Sequence, residues 1–566
     1  MGARARMGRV LQSVRVLGPR ARGVASFGAF VAGDDLASLA LAKSALSVHS
    51  RMGLEVAVLL DRHDLIDSSA SPLLRARAKT ALGDIDGALF VLEEAGLGRT
   101  VQAGRLRSER RLMSPGIQLH APSIDRRVRH LALSGSGQPR RVLHFITNSL
   151  PHTQSGYSLR THRILSSMSE AGIDSVALTR TGYPVMVGKF WAKDEDLVDG
   201  IRYTRCLPGR LGETPESRLE QEVARAMELV DEFDPHVLHA TTDYRNALVA
   251  QAVSAETGIP WVFEVRGLME QTWIASHRTP TSREAASASQ KASLVSAREG
   301  ELAAQAGAVI TLSQTMADEL ERRGVDAGVI TVVPNGVEKS LLDQDLTPQG
   351  ARNRLGLDVP PDAFVVGAVS ALVPYEGHDV LLHAVSEILH SSHVSQVVRD
   401  RLHVVIAGDG TAAPSLIALA AELGIQDRVI MPGRVPREEA KFWVQALDVV
   451  VVPRLDLDVS RAVTPQKPVE AMALGRPVVV SDLPALRECV TNSRGQICAT
   501  LAPAGDPSGL AQAIVDLADS DRRRAALADR AHQLASERTW LSMVRRYVAA
   551  YDRAQWECRE GAVGGD

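Results

Sequence analysis

Aromatic side chains are scarce in this 566-residue chain, at 4% of the total, and cysteine is scarcer, with four. Cys206, Cys489, Cys498 and Cys558 form no C-x-x-C pair and no even framework, which excludes a disulfide scaffold and a structural zinc site and suits a reducing compartment. A charge bias is lacking too. The 64 basic and 67 acidic side chains leave a formal charge of −3, so there is no chain-wide field to hold a polyanion and nucleic acid is not expected as a partner. No window holds eighteen consecutive apolar residues, so no transmembrane helix is expected. The first 24 residues lack acid: Arg4, Arg6, Arg9, Arg15, Arg20 and Arg22 stand among Val10, Leu11, Val14 and Leu17, without an apolar run of signal-peptide length. A solvated basic tail is one reading, and attraction to anionic lipid heads is the other.

What is present is the composition of a soluble globular protein, with 45% hydrophobic and 23% charged residues, long enough for roughly three or four folding units. Residues 25–133 carry helix-like spacing, as in Leu36, Leu39, Leu41 and Leu46, or Leu82, Ile85, Ala88, Leu89 and Leu92, and predict a small helical module. Its stretch ALGDIDGALFVLEEAGL is tetratricopeptide-like, but the three matched copies such an array needs are missing. A Ser/Gly linker at Ser134 to Arg140 hands over to an α/β grammar: RVLHFIT, SVALTR, VLHAT, PWVFEVRG, AVITLS and ITVVPNG alternate with amphipathic helices over 139–343. After a polar connector the grammar restarts over 350–535 with FVVGAVSA, HVVIAGDG, RVIMPGRV, DVVVVPR and PVVVSD, and an amphipathic helix within 536–558 is placed to brace the two halves. In open parallel sheets ligands sit beyond the carboxyl ends of the strands, so two facing sheets would share a cleft.

Several strand-end loops narrow this further: PHTQSGYSLRTH, ITLSQTMADELERRGV, VVPNGVE, IAGDGTAAPSL, VIMPGRVP and KPVEAMALGRPVVVSD. In this order and spacing, from about Arg140 to Arg553, the chain resembles the family-four retaining glycosyltransferases of the GT-B type. It is most similar to members reading YEG, EVRGLxE and VTPxKPxEAMA, here Tyr375-Glu376-Gly377, Glu264 to Glu270 and Val463 to Glu470. The expected fold is therefore GT-B: two facing Rossmann-like parallel-sheet domains, an acceptor lobe and a nucleotide-sugar lobe, behind the helical module.

The resemblance implies roles for particular residues. Gly156, after the first strand, would let a sugar or diphosphate approach amides at a helix start, or it is only a turn glycine. Gly408, Asp409 and Gly433, at strand ends of the second half, would border the nucleotide, although ordinary strand-to-helix turns use the same residues. Glu470, opening the helix KPVEAMALG that Gly475 closes, would hold the ribose hydroxyls, since a carboxylate accepts both hydrogen bonds of a vicinal diol; its bland role is to complement the helix dipole. Family members mostly meet the leaving diphosphate with an Arg and a Lys after the first strand of the second half, but Ala371 and Glu376 stand at those places. Arg454 and Lys467 are the expected replacements, or they are only a strand-end arginine and a solvated lysine. Ala462 stands where a further glutamate is usual, leaving Asp456 or Asp458 as substitutes. Arg266, in place of a usual histidine, would hold donor or acceptor oxygens with Glu264 orienting it, and His239 is a second cleft candidate.

No Ser-His-Asp or Cys-His arrangement and no metal-ligand cluster stands out, so no protein nucleophile, cofactor or metal is expected. The resemblance implies a hexosyltransferase using a nucleoside-diphosphate sugar and a glycan or lipid-linked acceptor, in cell-surface polysaccharide or glycoconjugate synthesis. It is expected in the cytoplasm or peripherally at the inner face of the membrane, with the N-terminal region touching a membrane or protein partner. A nucleotide-sugar 2-epimerase and a non-catalytic sugar-nucleotide-binding scaffold stay open as rivals.

Overall fold

A computed structural model describes residues 19–31, 35–46, 51–123, 140–343 and 346–563. The Ser/Gly linker up to residue 139 and residues 1–18 of the basic segment lie outside them. The chain divides into two compact units. No helix among the described residues is long and apolar enough to cross a membrane.

The first unit comprises residues 1–115, 213–215 and 269–296. It is helical, and its first helix, Pro19–Val31, begins inside the segment expected as a tail; proline tolerates a first turn, where its missing N–H is not needed. Helices Pro72–Ala81 and Ile85–Glu94 form a hairpin capped by the Asp84 carboxylate, which accepts from Gly87 N at 2.9 Å. Residues 269–296 fall inside the range read as the N-terminal lobe, yet they pack with this helical unit. The Gln290 side chain accepts from Ile85 N and Asp86 N at 3.1 and 3.0 Å, and Asp61 receives His277 Nδ1 at 3.2 Å.

The second unit holds both sheets. Its N-terminal lobe has strands β1 (Arg141–Ile146), β2 (Asp174–Thr179), β3 (Glu195–Val198), β4 (Ile201–Thr204), β5 (Val237–Thr241), β6 (Trp261–Val265), β7 (Ala308–Thr311) and β8 (Ile330–Val332), in the order β3-β4-β2-β1-β5-β6-β7-β8. All pairs are parallel except β3 with β4, a hairpin closed by Asp199-Gly200, both at positive φ. Sequence reading missed this hairpin, although D-G between alternating residues is a strong turn signal. The C-terminal lobe has β9 (Phe364–Val369), β10 (Leu402–Ala407), β11 (Val429–Gly433), β12 (Val449–Val452), β13 (Val478–Ser481) and β14 (Thr500–Ala502), all parallel, in the order β11-β10-β9-β12-β13-β14. The four valines of β12 are all buried, as a strand covered by helices on both faces requires.

Four helices matter for the site: α1 (Gly156–Glu170), α2 (Lys467–Ala473), α3 (Asp521–Ser536) and α4 (Trp540–Val563). Helix α3 belongs to the C-terminal core through Leu527, Ala531, Leu534 and Ala535. Helix α4 crosses to the other lobe, where Trp540, Met543, Val544, Tyr547 and Tyr551 join Val142, Val237, Val262 and Ile310. The chain end thereby links the two sheets.

Candidate functional site

The carboxyl ends of β9, β10 and β11 are knitted by backbone contacts, and after β10 these leave no room for side chains. Gly408, at φ +146°, would carry a Cβ 1.7 Å from Ser370 O, and a Cβ on Gly410 would lie 2.2 Å from Leu372 O. Gly408 N in turn donates to Gly433 O at 2.9 Å. These glycines therefore shape the floor of the strand-end loops by close packing. Asp409 is exposed and receives Gly410 N at 2.8 Å, and Gly433, at φ +83°, faces open space. In the other lobe Gly156 is the exposed first residue of α1, behind the N-cap Ser155, and nothing crowds its Cα.

Three charged residues converge beside this floor. Glu376 Oε1 accepts from Arg454 Nη2 and its Oε2 from Lys467 Nζ, both at 2.8 Å. Arg454, at the end of β12, also donates to Val463 O at 2.9 Å, and it is 6% exposed. The two cations expected to replace the family's Arg/Lys pair are thus gathered by the glutamate that stands at the usual lysine's place. Burial alone would raise the Glu376 carboxyl, but Arg454 and then Lys467 overcome it and hold it well below the ordinary carboxylate range. Desolvation lowers the Lys467 ammonium, with Glu376 opposing. Next to them His378 is pushed down to about 4, by burial and then by Lys467, and its Nε2 meets Ser370 Oγ at 2.9 Å.

Glu470 lies one helical turn beyond Lys467 on α2, whose end Gly475 marks with φ +66°. Its carboxylate is engaged across the lobes by Arg163 of α1, which also donates to Glu338 at 2.6 Å. Sequence reading did not single out Arg163. A cavity of about 430 Å3 opens beside this pair, lined by His162, Arg163, Glu338 and Lys339 from one side and Arg437 from the other. The lobes meet again where Gln466 Nε2 donates to Gly336 O at 2.6 Å and Asn335 Nδ2 to Thr464 O at 3.1 Å. Asp456, considered as a sugar contact, is paired on the surface with Arg461, while Asp458 opens the short helix Asp458–Ala462.

The expected acceptor-side residues are placed otherwise: Glu264, Arg266 and His239 are 0%, 3% and 1% exposed and bind one another instead of facing a cleft. Glu264 Oε2 accepts from Arg266 Nη2 at 2.6 Å and from His239 Nε2 at 3.1 Å, and Oε1 from Tyr547 at 2.8 Å and Arg160 at 3.1 Å. His239 Nδ1 meets the Tyr551 hydroxyl at 2.8 Å, and Arg266 Nη1 donates to Thr161 Oγ1 at 2.7 Å. Burial pushes the Glu264 carboxyl up, but Arg266, the His239 hydrogen bond and Arg160 together hold it well down. A carboxylate near the end of a buried strand must be compensated in this way, and the partners come from the end of β6 and from β5, Arg266 and His239, and from the helices, Arg160 of α1 and Tyr547 of α4. The physical result is a lock between sheet and helices.

Comparison with known proteins agrees with this architecture. Residues 155–336 match the family described as "Glycosyl transferase 4-like domain", and residues 363–520 match "Glycosyl transferases group 1", together more than half of the chain. Among curated proteins, the D-inositol 3-phosphate glycosyltransferase of Thermobispora bispora is 32% identical over 230 residues, covering 40% of this chain and 50% of that protein. The protein of the same name from Thermomonospora curvata is 31% identical over 255 residues, covering 43% and 56%. The chain thus spans about half the length of these relatives. Among solved structures, sucrose-phosphate synthase of Thermosynechococcus elongatus superposes with a TM-score of 0.58 and HepE of Anabaena, with UDP and glucose, with 0.55. Each is 18% identical and covers 73% of this chain and 99% of the other, a likeness of fold. With the two matched regions lying in order on the two sheets of a GT-B fold, the chain belongs to the family-four glycosyltransferases.

Proposed function

We propose that the protein is a retaining, metal-independent glycosyltransferase that moves a hexose-type residue from a nucleoside-diphosphate sugar to a glycan or lipid-linked acceptor, in cell-surface polysaccharide or glycoconjugate synthesis. The observation that carries this reading is the gathering of Arg454 and Lys467 on Glu376, one helical turn from Glu470. Two cations held in a partly desolvated site are what a departing diphosphate needs, because charge developing there is met by groups already in place. Glu470 would take the ribose diol. The UDP and glucose in the Anabaena structure support a nucleotide donor.

In the proposed reaction the bond between the anomeric carbon and the diphosphate oxygen breaks, and its electron pair leaves with the diphosphate. The acceptor oxygen bonds to the same face of that carbon, and its proton passes to the departing phosphate oxygen. Arg454 and Lys467 would hold that oxygen's phosphate, and no metal need share the load. One observation favours a second reading, a nucleotide-binding scaffold: Glu470 is already occupied by Arg163, and Glu376 offsets the cations.

A panel of labelled nucleotide sugars, followed by donor hydrolysis and by UDP and GDP calorimetry, separates these readings. Hydrolysis of one donor is expected, with Lys467→Ala lowering turnover by about 100-fold while circular dichroism stays unchanged. Nucleotide binding without turnover of any donor would favour the scaffold, and turnover unaffected by Lys467→Ala would remove Lys467 from the chemistry.

A further inference from the structure

In a chain with so few aromatics, two adjacent ones stand almost free of protein. Trp191 is 94% exposed and Phe190 70%, and Met186 and Val187 on the same loop are 49% and 43% exposed. The two rings touch edge to face, 6.4 Å between centroids. The base of the loop is firmly held. Tyr183 is fully buried, its hydroxyl donates to Ser149 O at 2.6 Å, and Gly182 N donates to Cys206 O at 2.8 Å. On the far side Arg205 N donates to Asp194 O at 2.8 Å, and Leu197 on β3 is a further apolar side chain, 71% exposed. The tip is therefore a defined apolar feature on a rigid base, and its apolar area in water needs an explanation.

We infer that residues 185–193 form a membrane-docking loop that inserts Phe190 and Trp191 into the interface of an anionic bilayer. Three observations favour lipid over protein. The residue types are those of an interfacial anchor: aromatic rings at the tip, aliphatic side chains behind them, and Lys189 and Lys193 flanking the pair to meet anionic headgroups. The size is too small for a stable protein partner, because two aromatic side chains with a few aliphatics offer a few hundred Å2, against about 800 Å2 per side in a standard interface. The position is apt, since the loop leaves β2 at its carboxyl end, the side on which parallel sheets bind ligands. A bilayer touched there would lie on the side of the N-terminal lobe that a lipid-borne acceptor must reach. The surface itself does not depend on the transfer reading.

The test uses the full chain, phosphatidylcholine vesicles with and without phosphatidylglycerol, co-sedimentation, and tryptophan emission. The wild-type protein is expected to sediment with the phosphatidylglycerol vesicles and to show blue-shifted emission. Phe190→Ser with Trp191→Ser should weaken this binding by about tenfold or more while leaving thermal unfolding unchanged, because neither ring packs into the core. Three results would overturn the inference. The first is binding of the wild type to neither vesicle; the second is binding of the double variant as tight as that of the wild type, which assigns attachment elsewhere, such as to the arginine-rich N-terminal segment; the third is self-association of the wild type where the variant stays monomeric, which makes a second copy the occupant of the loop.

Discussion

At the proposed diphosphate site a glutamate would repel the ligand unless charge were restored nearby, and Glu376 gathers two cations that would restore it. Its two oxygens each hold one cation, so Arg454 and Lys467 keep defined positions while the cluster retains a net positive charge. Removing one member of such a cluster leaves the others desolvated and unpaired. Glu376→Gln is therefore expected to lower stability by about 2–3 kcal/mol at pH 7, a figure reduced from the fully buried case because the Lys467 side chain is 25% exposed. The carboxyl is held low in the fold, so its stabilisation is present at neutral pH and fades as the solution is acidified below the ordinary glutamate range. Thermal melts of wild type and variant should accordingly converge in acid. Adding a nucleoside diphosphate should raise the variant's melting temperature more than the wild type's, as phosphate oxygens take the place of the missing carboxylate. An equal rise in both would show that the cations do not face the ligand.

Among the elements, the parallel strands were legible because a strand covered on both faces must be an unbroken apolar run, as DVVVVPR and RVLHFIT are. The helix α2 and its Gly475 stop were legible for the same kind of local reason. The β3-β4 hairpin was missed because its apolar content is slight, and the packing of residues 269–296 with the helical unit depends on contacts over some two hundred residues of chain, which periodicity cannot report. The burial of the expected acceptor-side residues has a related reason: Glu264 and Arg266 stand at the end of β6 and His239 in the middle of β5, but Tyr547 and Tyr551 of α4, far along the sequence, bind Glu264 and His239. Another buried acid shows what such burial costs. Glu222, on the helix Pro215–Phe233, accepts from Thr181 N at 2.9 Å with one oxygen, leaves Oε1 without a partner, and is pushed up to about 7 by burial. A carboxyl raised in the fold favours folding below the unfolded value and loses that advantage as pH rises through its folded value. Glu222→Gln should thus raise stability by about 2–3 kcal/mol at pH 8 and have little effect near pH 4, read from unfolding midpoints at the two pH values. Equal effects at both would show that the carboxyl does not titrate in this range.

At the scale of the unit that carries both sheets, the contacts that join the lobes include the crossing of α3 into α4, those of Asn335 and Gly336 with the 464–466 segment, and the acceptance by Glu488 of Thr315 N at 3.0 Å and Thr315 Oγ1 at 2.9 Å. The Arg163–Glu470 pair differs from these, because it occupies the one carboxylate that the donor reading assigns to the ribose. If Glu470 must take the diol, nucleotide binding has to displace Arg163, which retains Glu338 as a partner. Competition of this kind has a definite sign. The pair is part-buried, with side chains 14% and 27% exposed, and an ion pair in that setting is worth on the order of 1 kcal/mol. Arg163→Ala should therefore bind UDP or GDP about three- to tenfold more tightly than the wild type, in calorimetry at low salt. Glu470→Ala should abolish the difference by removing the contested group. Weaker binding in Arg163→Ala would mean that the guanidinium itself holds the nucleotide, so that the ion pair across the lobes sets the donor site up instead of opposing it.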